Sequence, residues 1–334
     1  MLSPYAETVP AITVDHAQVP LSLGIDIGGT KVAAGVVDGA GRVVEELRRA
    51  TPGRDARAVE GVIAQLVREL SERHAIASVG IGAAGWMDLE GARVVFSPHL
   101  AWRDEPLRET LEAMLGRPVL VTNDADAAAW AEWRFGAGQG RDRMVMLTLG
   151  TGIGGALVID GRVERGSFGM AGEFGHQIIM PGGHRCECGN RGCWEQYASG
   201  NALGREGREL AGKHSPMAAG LLAAAHGRRK DITGSLVTSL ALEGEPTARE
   251  LVAEVGEWLG LGMANLAAAL DPALFVVGGG LSAAGELMLE PARRAFRRNL
   301  TGRGYRQEAD IVAAALGPMA GLVGAADLAR VRQK

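Results

Sequence analysis

Two segments of the chain repeat one pattern, in which an apolar strand, a short glycine turn and a second apolar strand follow each other. The first is GIDIGGTKVAAGVVD at residues 24–38, and the second is MLTLGTGIGGALVIDG at residues 146–161. Strand and helix patterns alternate after the first segment, and 334 residues exceed what one ordinary core accommodates. The sequence therefore predicts an α/β protein made of two related halves.

Local patterns assign the elements of both halves. Apolar runs between turn residues predict strands, and apolar residues at helical spacing predict helices. The predicted strands cover residues 21–27, 31–37, 42–48, 78–83, 119–122, 144–149, 157–159, 162–164 and 274–277. The predicted helices cover residues 56–73, 106–115 and 125–135, and the second half is otherwise mostly helical. Asp104 is the predicted N-cap of the second helix, and Gly116 and Gly136 are predicted helix stops.

Composition limits the possible partners. Apolar residues make up 47% of the chain and charged residues 22%, which indicates a globular protein. The net charge is −4 and no long basic block occurs, which argues against nucleic acid and anionic membranes as partners. We find neither a secretory signal in residues 1–20 nor an apolar stretch long enough for a membrane helix. Three clustered cysteines argue against a disulfide framework and for a cytoplasmic location.

The first glycine turn has the composition of a phosphate-binding loop. Gly28 and Gly29 stand between an acid, Asp26, and a hydroxyl-lysine pair, Thr30 and Lys31. An apolar strand follows at once, so the segment is not a Walker A motif, whose lysine opens a helix. Backbone N–H groups in such a hairpin can cradle phosphate, and an acid at the strand end can hold Mg²⁺ through water. A simple tight turn is the alternative.

Two further turns fit the same interpretation. Thr151 and Gly152 occupy the turn of the second segment, so two hairpins could hold the terminal and inner phosphates from opposite sides of a cleft. The stretch LFVVGGGLS at residues 274–282 supplies a third strand-to-glycine turn, in which Gly279 would let the backbone approach a flat nucleoside. Together these turns predict a nucleotide site.

Asn123 and Asp124 stand where the apolar strand of VLVTNDADAAAW gives way to a helix. Polar residues at this point project into the cleft of open α/β folds. A carboxylate there can take the proton of a hydroxyl group that attacks phosphorus. The alternative is an N-cap, in which either side chain binds the first helical N–H groups. Asp126 lies inside the helix and is predicted to be structural.

Three cysteines and one histidine form a cluster of possible metal ligands. His176, Cys186, Cys188 and Cys193 have the spacing H-x9-C-x-C-x4-C. Thiolates and an imidazole at this density suit tetrahedral Zn²⁺. Buried core thiols are the alternative. Because three cysteines and a histidine would fill the coordination shell, the predicted zinc site is structural rather than catalytic.

Longer segments carry a family resemblance. The segment LGTGIGGALVIDGRVERGSFGMAGEFGH resembles the signature of the ROK family (repressors, open reading frames, kinases), and CECGNRGCWEQYASG resembles its zinc segment. HLAWRDEPL and GLVGAADLA are similar to segments of the bacterial glucokinases in that family, especially the actinobacterial type. The resemblance covers roughly residues 21–330. It implies a two-domain actin-like ATPase (hexokinase-type) fold of the α/β class, with a cleft between the domains.

The resemblance also implies a domain division and an assembly. We expect an N-terminal tail at residues 1–20 and a small N-terminal α/β domain at residues 21–122 together with 318–334. A larger C-terminal α/β domain at residues 123–317 would carry the zinc-binding loop. A homo-dimer or homo-tetramer is the family expectation.

Residue roles follow from the same resemblance. Asp124 matches the catalytic base of the family. Residues that bind sugar hydroxyls in the family match Glu173, His176 and Glu195, and Asn123 is expected to position the sugar with them. Since Glu173 and Glu195 flank the predicted metal ligands, the zinc would hold a loop that forms one wall of the sugar site.

Two positions depart from the family pattern. Ala84 replaces the proline of a Pro-Gly pair, and Gly85 is still expected to let the backbone approach the sugar. His99 stands where many relatives carry an asparagine that contacts the sugar. Histidine is bulkier and can be neutral or charged, so His99 is a candidate sugar contact that leaves the sugar specificity open.

The resemblance therefore implies an ATP-dependent glucokinase, acting on the 6-hydroxyl of glucose with Mg²⁺ bound to ATP and Zn²⁺ as a structural ion. A kinase for another hexose or an N-acetylhexosamine shares the same polar set, and polyphosphate could replace ATP as the donor. A sugar-sensing regulator would carry a helix-turn-helix domain, for which too few residues precede the first strand. A zinc hydrolase would need an open coordination position.

Overall fold

Two five-stranded sheets order the chain. The computed structural model describes residues 19–53, 55–97 and 100–332. The predicted tail at residues 1–20, apart from its last two residues, lies outside the described residues, and so does the candidate sugar contact His99.

The first sheet contains the glycine hairpin of the first segment. Its strands are β1 (Leu21–Ile27), β2 (Lys31–Val37), β3 (Val43–Ala50), β4 (Ile76–Ala83) and β8 (Leu120–Asn123), in the order β3-β2-β1-β4-β8. β1 pairs antiparallel with β2 and parallel with β4, and β4 pairs parallel with β8. β1 and β4 are central and buried on both faces, which explains their nearly continuous apolar sequences.

The second sheet repeats this plan. Its strands are β9 (Arg143–Leu149), β10 (Ile153–Ile159), β11 (Arg162–Glu164), β12 (Leu274–Gly278) and β13 (Asp310–Ala313), in the order β11-β10-β9-β12-β13. In both sheets three antiparallel strands are followed by two parallel ones. The β10–β11 turn has positive φ angles of 48° at Asp160 and 73° at Gly161, as a tight hairpin of this kind requires. The prediction of two related α/β halves is confirmed.

Helices and a small third sheet complete the described fold. The helices are α1 (Ala56–Arg73), α2 (Leu107–Leu115), α3 (Asp124–Phe135), α4 (Gly200–Gly212), α5 (Ala219–Ala224), α6 (Gly234–Glu243), α7 (Pro246–Leu270), α8 (Glu286–Asn299) and α9 (Ala320–Arg332). The third sheet consists of β5 (Trp86–Met87), β6 (Val94–Phe96) and β7 (Arg103–Glu105). None of the helices in the described part of the chain is long and apolar enough to cross a membrane.

Glycines let the last helix pack directly on the first sheet. A Cβ atom at Gly24 of β1 or Gly80 of β4 would overlap backbone atoms of α9. Gly324 of α9 is packed equally closely against the backbone of α3 at Ala127. A core cluster that includes Met144 of β9 joins these two helices to the second sheet. Helices α3 and α9 therefore connect the two sheets. Their packing fixes the start of α3 at the carboxyl ends of β1 and β4.

Most element boundaries agree with the predictions to within two residues, but one cap is wrong. Asp104 is not the N-cap of α2: it lies in β7 with a φ of 51°, and α2 begins at Leu107 after Pro106, which makes no side-chain cap bond. The strand pairing of residues 103–105 with β6 holds Asp104 outside the helix. The third sheet and β13 were not predicted, because strands of two to four residues are too short for a periodic pattern.

Candidate active site

Acidic side chains meet at the carboxyl ends of three neighbouring parallel strands. Asp26 near the end of β1 is the register partner of Gly82 in β4, and Ala83 is the partner of Asn123 at the end of β8. Asp124 begins α3 immediately afterwards, and its carboxylate accepts the N–H of the next residue at 3.0 Å. This strand edge is where ligands bind in open α/β sheets.

Asn123 is the N-cap of α3. Its Oδ1 accepts the N–H groups of Ala125 at 2.8 Å and Asp126 at 3.1 Å, and its Nδ2 donates to the carbonyl of Gly85 at 3.0 Å. The capping alternative is therefore correct for this residue. One amide hydrogen of the predicted sugar contact is left for a further bond.

The acids near Asp124 hold their protons unusually tightly. Burial and the charge of Asp124 raise the pKa of Asp26 to about 7, although Lys31 opposes the shift. Burial also raises the pKa of Glu173 to about 7, with the charges of Asp124 and Glu195 adding to it. Since Asp124 influences both groups, the carboxylates form one acidic cluster, and a bound divalent cation would favour their ionised forms.

The first glycine turn is supported from the side by a residue that the sequence did not single out. Gly28 donates its N–H to the carbonyl of Lys31 at 3.0 Å, which closes the hairpin. Thr51, just after β3, donates its hydroxyl to the carbonyl of Gly28 at 2.8 Å and its N–H to that of Thr30 at 3.0 Å. Thr30 and Lys31 are exposed beside Gly29. The turn is thus held rigidly with its polar side chains open to a ligand.

The second glycine turn borders a cavity of 430 Å³, here named the wide cavity. The start of α4 supports the turn, because Gly200 donates its N–H to the carbonyl of Gly150 at 2.8 Å. Gly279, with a φ of 84°, would place a Cβ atom 2.6 Å from the backbone nitrogen of Leu149, so its glycine is required by close backbone packing. Residues that line the wide cavity include Thr151, Asn201, Thr233, Ser235, Ser239 and Gly280.

A second cavity of 220 Å³, here named the narrow cavity, adjoins the first. Thr151 and Asn201 line both cavities. The other residues lining the narrow cavity include Trp86, Phe96, Gly152, His176, Arg185, Glu187, Cys188, Glu195 and Gln196. The rings of Trp86 and Phe96 lie 5.3 Å apart between centroids and form an aromatic wall that was not predicted. Two ligands bound in these cavities would meet near Thr151.

His176 brings the two predicted sugar-binding glutamates together. Its Nδ1 lies 3.7 Å from Oε1 of Glu195, and its Nε2 lies 3.9 Å from Oε2 of Glu173. The indole of Trp86 opposes the rise in the pKa of Glu173 and stands edge-on to the imidazole of His176, with ring centroids 6.1 Å apart. Gly85, also predicted here, has a φ of 139°, and its Cβ would lie 2.6 Å from the carbonyl oxygen of Phe96, so packing requires this glycine.

The four predicted metal ligands form one cluster. Their ligand atoms all lie within 4.8 Å of one another. The Sγ atoms of Cys188 and Cys193 are 3.6 Å apart, and Sγ of Cys186 is 3.5 Å from Nδ1 of His176. A tetrahedral zinc site with bonds of about 2.3 Å to sulfur and about 2.0 Å to nitrogen has sulfur–sulfur edges of about 3.8 Å and sulfur–nitrogen edges of about 3.5 Å. The donor set therefore fits Zn²⁺ in both chemistry and spacing.

A buried tryptophan anchors this cluster to the helical layer. Trp194 follows Cys193 directly, is fully buried, and donates its indole N–H to the carbonyl of Trp258 in α7 at 2.8 Å. Gly262 of α7 leaves room for the indole ring. Glu195 comes next in the chain, so the position of its carboxylate depends on both the metal ligand and the tryptophan.

Comparison with known proteins identifies the family of the chain. The ROK family model matches residues 22–332. The chain belongs to the ROK family. It is 47% identical to the glucokinase of Streptomyces coelicolor over 310 residues, which are 93% of this chain and 98% of the relative. It is also 36% identical to the N-acetylmannosamine kinase of Citrobacter koseri over 309 residues, covering 88% and 97% of the two chains.

A solved structure extends the comparison to the fold. A ROK family glucokinase from Streptomyces griseus, in complex with glucose and AMPPNP, superposes with a TM-score of 0.87 at 49% identity. The match covers 94% of this chain and 100% of the other. This ROK protein thus has the two-domain actin-like ATPase fold, as predicted.

A third depression of this ROK protein, a groove larger than the wide and narrow cavities, lies away from the acidic cluster. It has a volume of 1020 Å³ and runs between the amino ends of β9 and β13. Several of its charged side chains bond to one another or to the backbone, as in the pair of Arg141 and Asp310 at 2.8 Å and the bond from Arg143 to the carbonyl of Leu270 at 3.0 Å. The volume of a cavity therefore does not identify the candidate active site. The acidic cluster and the glycine turns identify it.

Proposed function

We propose that this protein is an ATP-dependent glucokinase that transfers the γ-phosphoryl group of ATP to the 6-hydroxyl of glucose. The observation that carries the proposal is the pair of adjoining cavities that share Thr151, one lined by turn and hydroxyl residues and the other by carboxylates and an imidazole. The similarity to the glucokinases of two Streptomyces species over nearly the whole chain supports it.

In this proposal Asp124 is the general base. Its carboxylate stands at the strand edge and accepts the proton of the sugar hydroxyl as the hydroxyl oxygen attacks phosphorus. The rigid start of α3, capped by Asn123, holds the carboxylate in place. Such positioning is a large part of phosphoryl-transfer catalysis, because a loose transition state needs little covalent help from the protein.

The narrow cavity would hold the sugar. The carboxylates of Glu173 and Glu195 each accept more than one hydroxyl hydrogen bond, and His176 between them can donate one through Nε2. Asn123 has an amide hydrogen left, and the backbone at Gly85 is the remaining predicted contact. A polar set of this kind rejects sugars that lack a bonded hydroxyl.

The glycine turns and the wide cavity would hold the nucleotide. The backbone of Gly28 and Gly29 with the side chains of Thr30 and Lys31 would bind the terminal phosphates from the first sheet. Thr151 and Gly152 would bind phosphates from the second sheet, and Gly279 would lie near the nucleoside. Mg²⁺ bound with ATP would neutralise charge on the phosphoryl group being transferred, and Asp26 would hold that ion through water.

We propose a structural role for the zinc. His176, Cys186, Cys188 and Cys193 would fill a tetrahedral shell, so the ion would fold the loop rather than bind a reactant. Binding through Nδ1 of His176 leaves Nε2 of the same ring on the side of Glu173. The metal loop would therefore fix the orientation of a sugar-binding imidazole.

Further proposals concern the molecule as a whole. We propose a small domain at residues 21–122 with 318–334, a larger domain at residues 123–317, and a homo-dimer or homo-tetramer. We also propose a cytoplasmic location, where thiol ligands stay reduced. The cleft between the domains would close on the sugar and exclude water, which limits wasteful ATP hydrolysis.

The second candidate function is phosphorylation of an N-acetylated hexosamine. The 36% identity of the chain to the N-acetylmannosamine kinase of Citrobacter koseri supports this candidate. The aromatic wall of Trp86 and Phe96 offers apolar surface against which an acetyl methyl group can pack.

ADP release from Mg-ATP, measured with glucose, mannose, fructose, N-acetylglucosamine and N-acetylmannosamine, tests both candidates. We expect turnover with glucose to exceed that with every other sugar. Turnover restricted to an N-acetylated sugar would replace the first candidate with the second. A parallel assay of glucose 6-phosphate formation from polyphosphate identifies the donor, and absence of turnover with either donor would refute the kinase proposal.

A further inference from the structure

Arg165 is a buried arginine that connects three separate segments of the chain. It lies just after β11 and is only 9% exposed. Its Nη1 donates to the carbonyl of Leu89 at 2.8 Å, and its Nη2 donates to the carbonyl of Asp88 at 2.8 Å. Its Nε lies 3.4 Å from Oδ2 of Asp126, whose side chain is 5% exposed. The guanidinium group, which stands on the loop after β11, thus contacts a turn of the third sheet and the first turn of α3.

Each of these segments carries a group of the proposed active site. The turn at Asp88 and Leu89 follows β5, which presents Trp86 to the narrow cavity. Asp126 lies two residues after Asp124 in the same helix. The chain after Arg165 leads to Glu173, whose carboxylate lies 3.9 Å from Nε2 of His176, the imidazole that Trp86 faces edge-on. Arg165 is therefore linked through these segments to Trp86, Asp124 and Glu173. In the proposed function, these three groups must keep fixed distances from one another so that a sugar is held and deprotonated.

The loop that carries Arg165 is folded tightly against the turn. The N–H of Ala171 donates to the carbonyl of Arg165 at 3.1 Å, which closes the loop on itself. Gly169, with a φ of 80°, has its Cβ position 2.7 Å from the backbone nitrogen of Leu89. The loop and the turn are therefore joined both by this close backbone packing and by the guanidinium bonds.

The contact pattern requires an arginine. A guanidinium group is planar and can donate to two adjacent carbonyls while its charge pairs with a carboxylate, whereas an ammonium group cannot reproduce that fixed fork. A buried ion pair is weak evidence for a purely stabilising role, because removing two charges from water costs about as much free energy as their attraction returns. The other charged groups near Asp126 are Asp124, Glu173 and Arg332, so the pair lies in the electrostatic field of the acidic cluster.

We propose that Arg165 is a positioning residue for the sugar. By joining the Asp88–Leu89 turn, the first turn of α3 and the loop before Glu173, it sets the distances among Trp86, Asp124 and Glu173. Its loss would weaken glucose binding and slow phosphoryl transfer without weakening nucleotide binding. The inference rests on the proposed function for its choice of sugar.

The test compares Arg165→Lys with a matched control, Arg117→Lys, in the zinc-loaded full chain. Arg117 also donates to two consecutive carbonyls, those of Ile76 at 2.9 Å and Ala77 at 2.8 Å, but at the start of β4, away from the site. We expect Arg165→Lys to raise the KM for glucose and to lower kcat, each about tenfold or more, with the KM for ATP unchanged within about twofold. The control should change none of the three.

A second variant covers the case in which Arg165→Lys does not fold. Asp126→Asn keeps an oxygen that can accept from Nε, so it should raise the KM for glucose less than Asp126→Leu, which removes the acceptor. Recovery with the conservative variant separates positioning from bulk packing. Equal effects of Asn and Leu, or equal changes in the KM values for glucose and ATP, would overturn the inference.

Direct titration of glucose separates this inference from the kinase proposal. If the wild-type protein binds glucose but shows no turnover, the kinase proposal fails, and the ratio of glucose dissociation constants between Arg165→Lys and wild type still decides the positioning role. A ratio near one overturns that role, and a ratio of about ten or more supports it. If the wild-type protein does not bind glucose, both fail.

Discussion

Gly152 and Glu195 are packed against each other beside the narrow cavity, so closely that a Cβ atom on residue 152 would overlap Oε2 of the glutamate. The same oxygen accepts the N–H of Ile153 at 3.4 Å, and the other oxygen lies 3.7 Å from Nδ1 of His176. The glycine of the second turn therefore determines where a proposed sugar-binding carboxylate lies. Under the proposed function, this contact would couple phosphate binding to sugar binding.

We expect Gly152→Ala to weaken sugar binding while the fold persists. The added methyl group displaces the flexible end of a glutamate rather than backbone, so the Tm should fall by only a few degrees. The KM for glucose should rise about tenfold, the equivalent of one strong hydrogen bond. Steady-state kinetics and thermal unfolding measure the two effects.

Gly61→Ala is the matched control for this substitution. Gly61 lies in α1, and no atom lies within 4 Å of its Cβ position. Alanine there should leave the KM unchanged and raise the Tm slightly, because alanine favours helix. A normal KM for glucose in Gly152→Ala would show that Glu195 does not bind the sugar.

Asp124→Asn is expected to abolish turnover while glucose still binds. The amide keeps the size of the side chain and can still accept the N–H of Ala125, but it cannot take a proton. We expect kcat to fall by about 10²–10⁴-fold, with the glucose dissociation constant within a few-fold of wild type. Single-turnover kinetics and calorimetric titration measure these quantities.

The control for Asp124→Asn is Asp55→Asn. Asp55 also stands at a helix start, where it accepts the N–H of Ala58 at 3.1 Å as the N-cap of α1. Asparagine caps helices as well as aspartate does, so this variant should behave as wild type. Turnover of Asp124→Asn near the wild-type value would remove Asp124 from the role of base.

Zinc removal is expected to impair sugar binding more than nucleotide binding. Of the proposed metal ligands, His176 lies within 4 Å of the carboxylates of Glu173 and Glu195, and Cys193 is two residues before Glu195, whereas the wide cavity is bounded by α4 and α6. After chelation, the KM for glucose should rise at least about tenfold and the Tm should fall by several degrees, with the KM for ATP changed little. Elemental analysis of the purified protein should find zinc in proportion to the chain.

Added zinc should restore both the KM for glucose and the Tm of the chelated protein. Cys188→Ser, which replaces a ligand thiol in the cluster, should reproduce the chelated state without a chelator. A metal-free protein with normal sugar affinity and normal thermal unfolding would show that the four side chains are ordinary core residues.

The parts of the site that were predictable from the sequence are local in the chain. The hairpin at Gly28 and Gly29 and the spacing of the cysteines each lie within a short segment, so composition and spacing indicate their geometry directly. The helix α1 was predicted with its correct bounds, Ala56–Arg73, because five apolar residues share one face.

The unpredicted parts depend on contacts between distant segments. Arg165 and Leu89 are 76 residues apart, and Thr51 reaches a carbonyl 23 residues before it. An arginine after a strand or a threonine before a turn carries no local mark of such a partner. Trp86 is similar: its strand has two residues, and apart from Phe96 its neighbours at the cavity lie far along the chain, at residues 151–201.

The last prediction concerns the stability of the protein as a function of pH. Burial and the charge of Asp124 raise the pKa of Asp26 from 3.8 to about 7, with Lys31 opposing the shift. Because the pKa in the folded state lies above the unfolded value, the folded protein binds this proton more tightly. The contribution of Asp26 to stability is therefore full below about pH 4 and is lost as the pH rises through about 7.

Asp26→Asn removes a buried charge and should stabilise the protein in Mg²⁺-free buffer near neutral and alkaline pH. We expect its Tm to exceed that of wild type by several degrees near pH 8, on the order of 2 kcal/mol, and the difference to shrink as the pH is lowered towards about 5. Asp55→Asn should show no such pH dependence.

The Asp26→Asn variant should also lose most of its turnover, because it no longer carries the carboxylate that would hold Mg²⁺. For the same reason, Mg-ATP should raise its Tm less than it raises the Tm of wild type. An unchanged Tm at every pH would show that burial does not raise the pKa of Asp26. Wild-type turnover would show that its carboxylate is not needed to hold Mg²⁺.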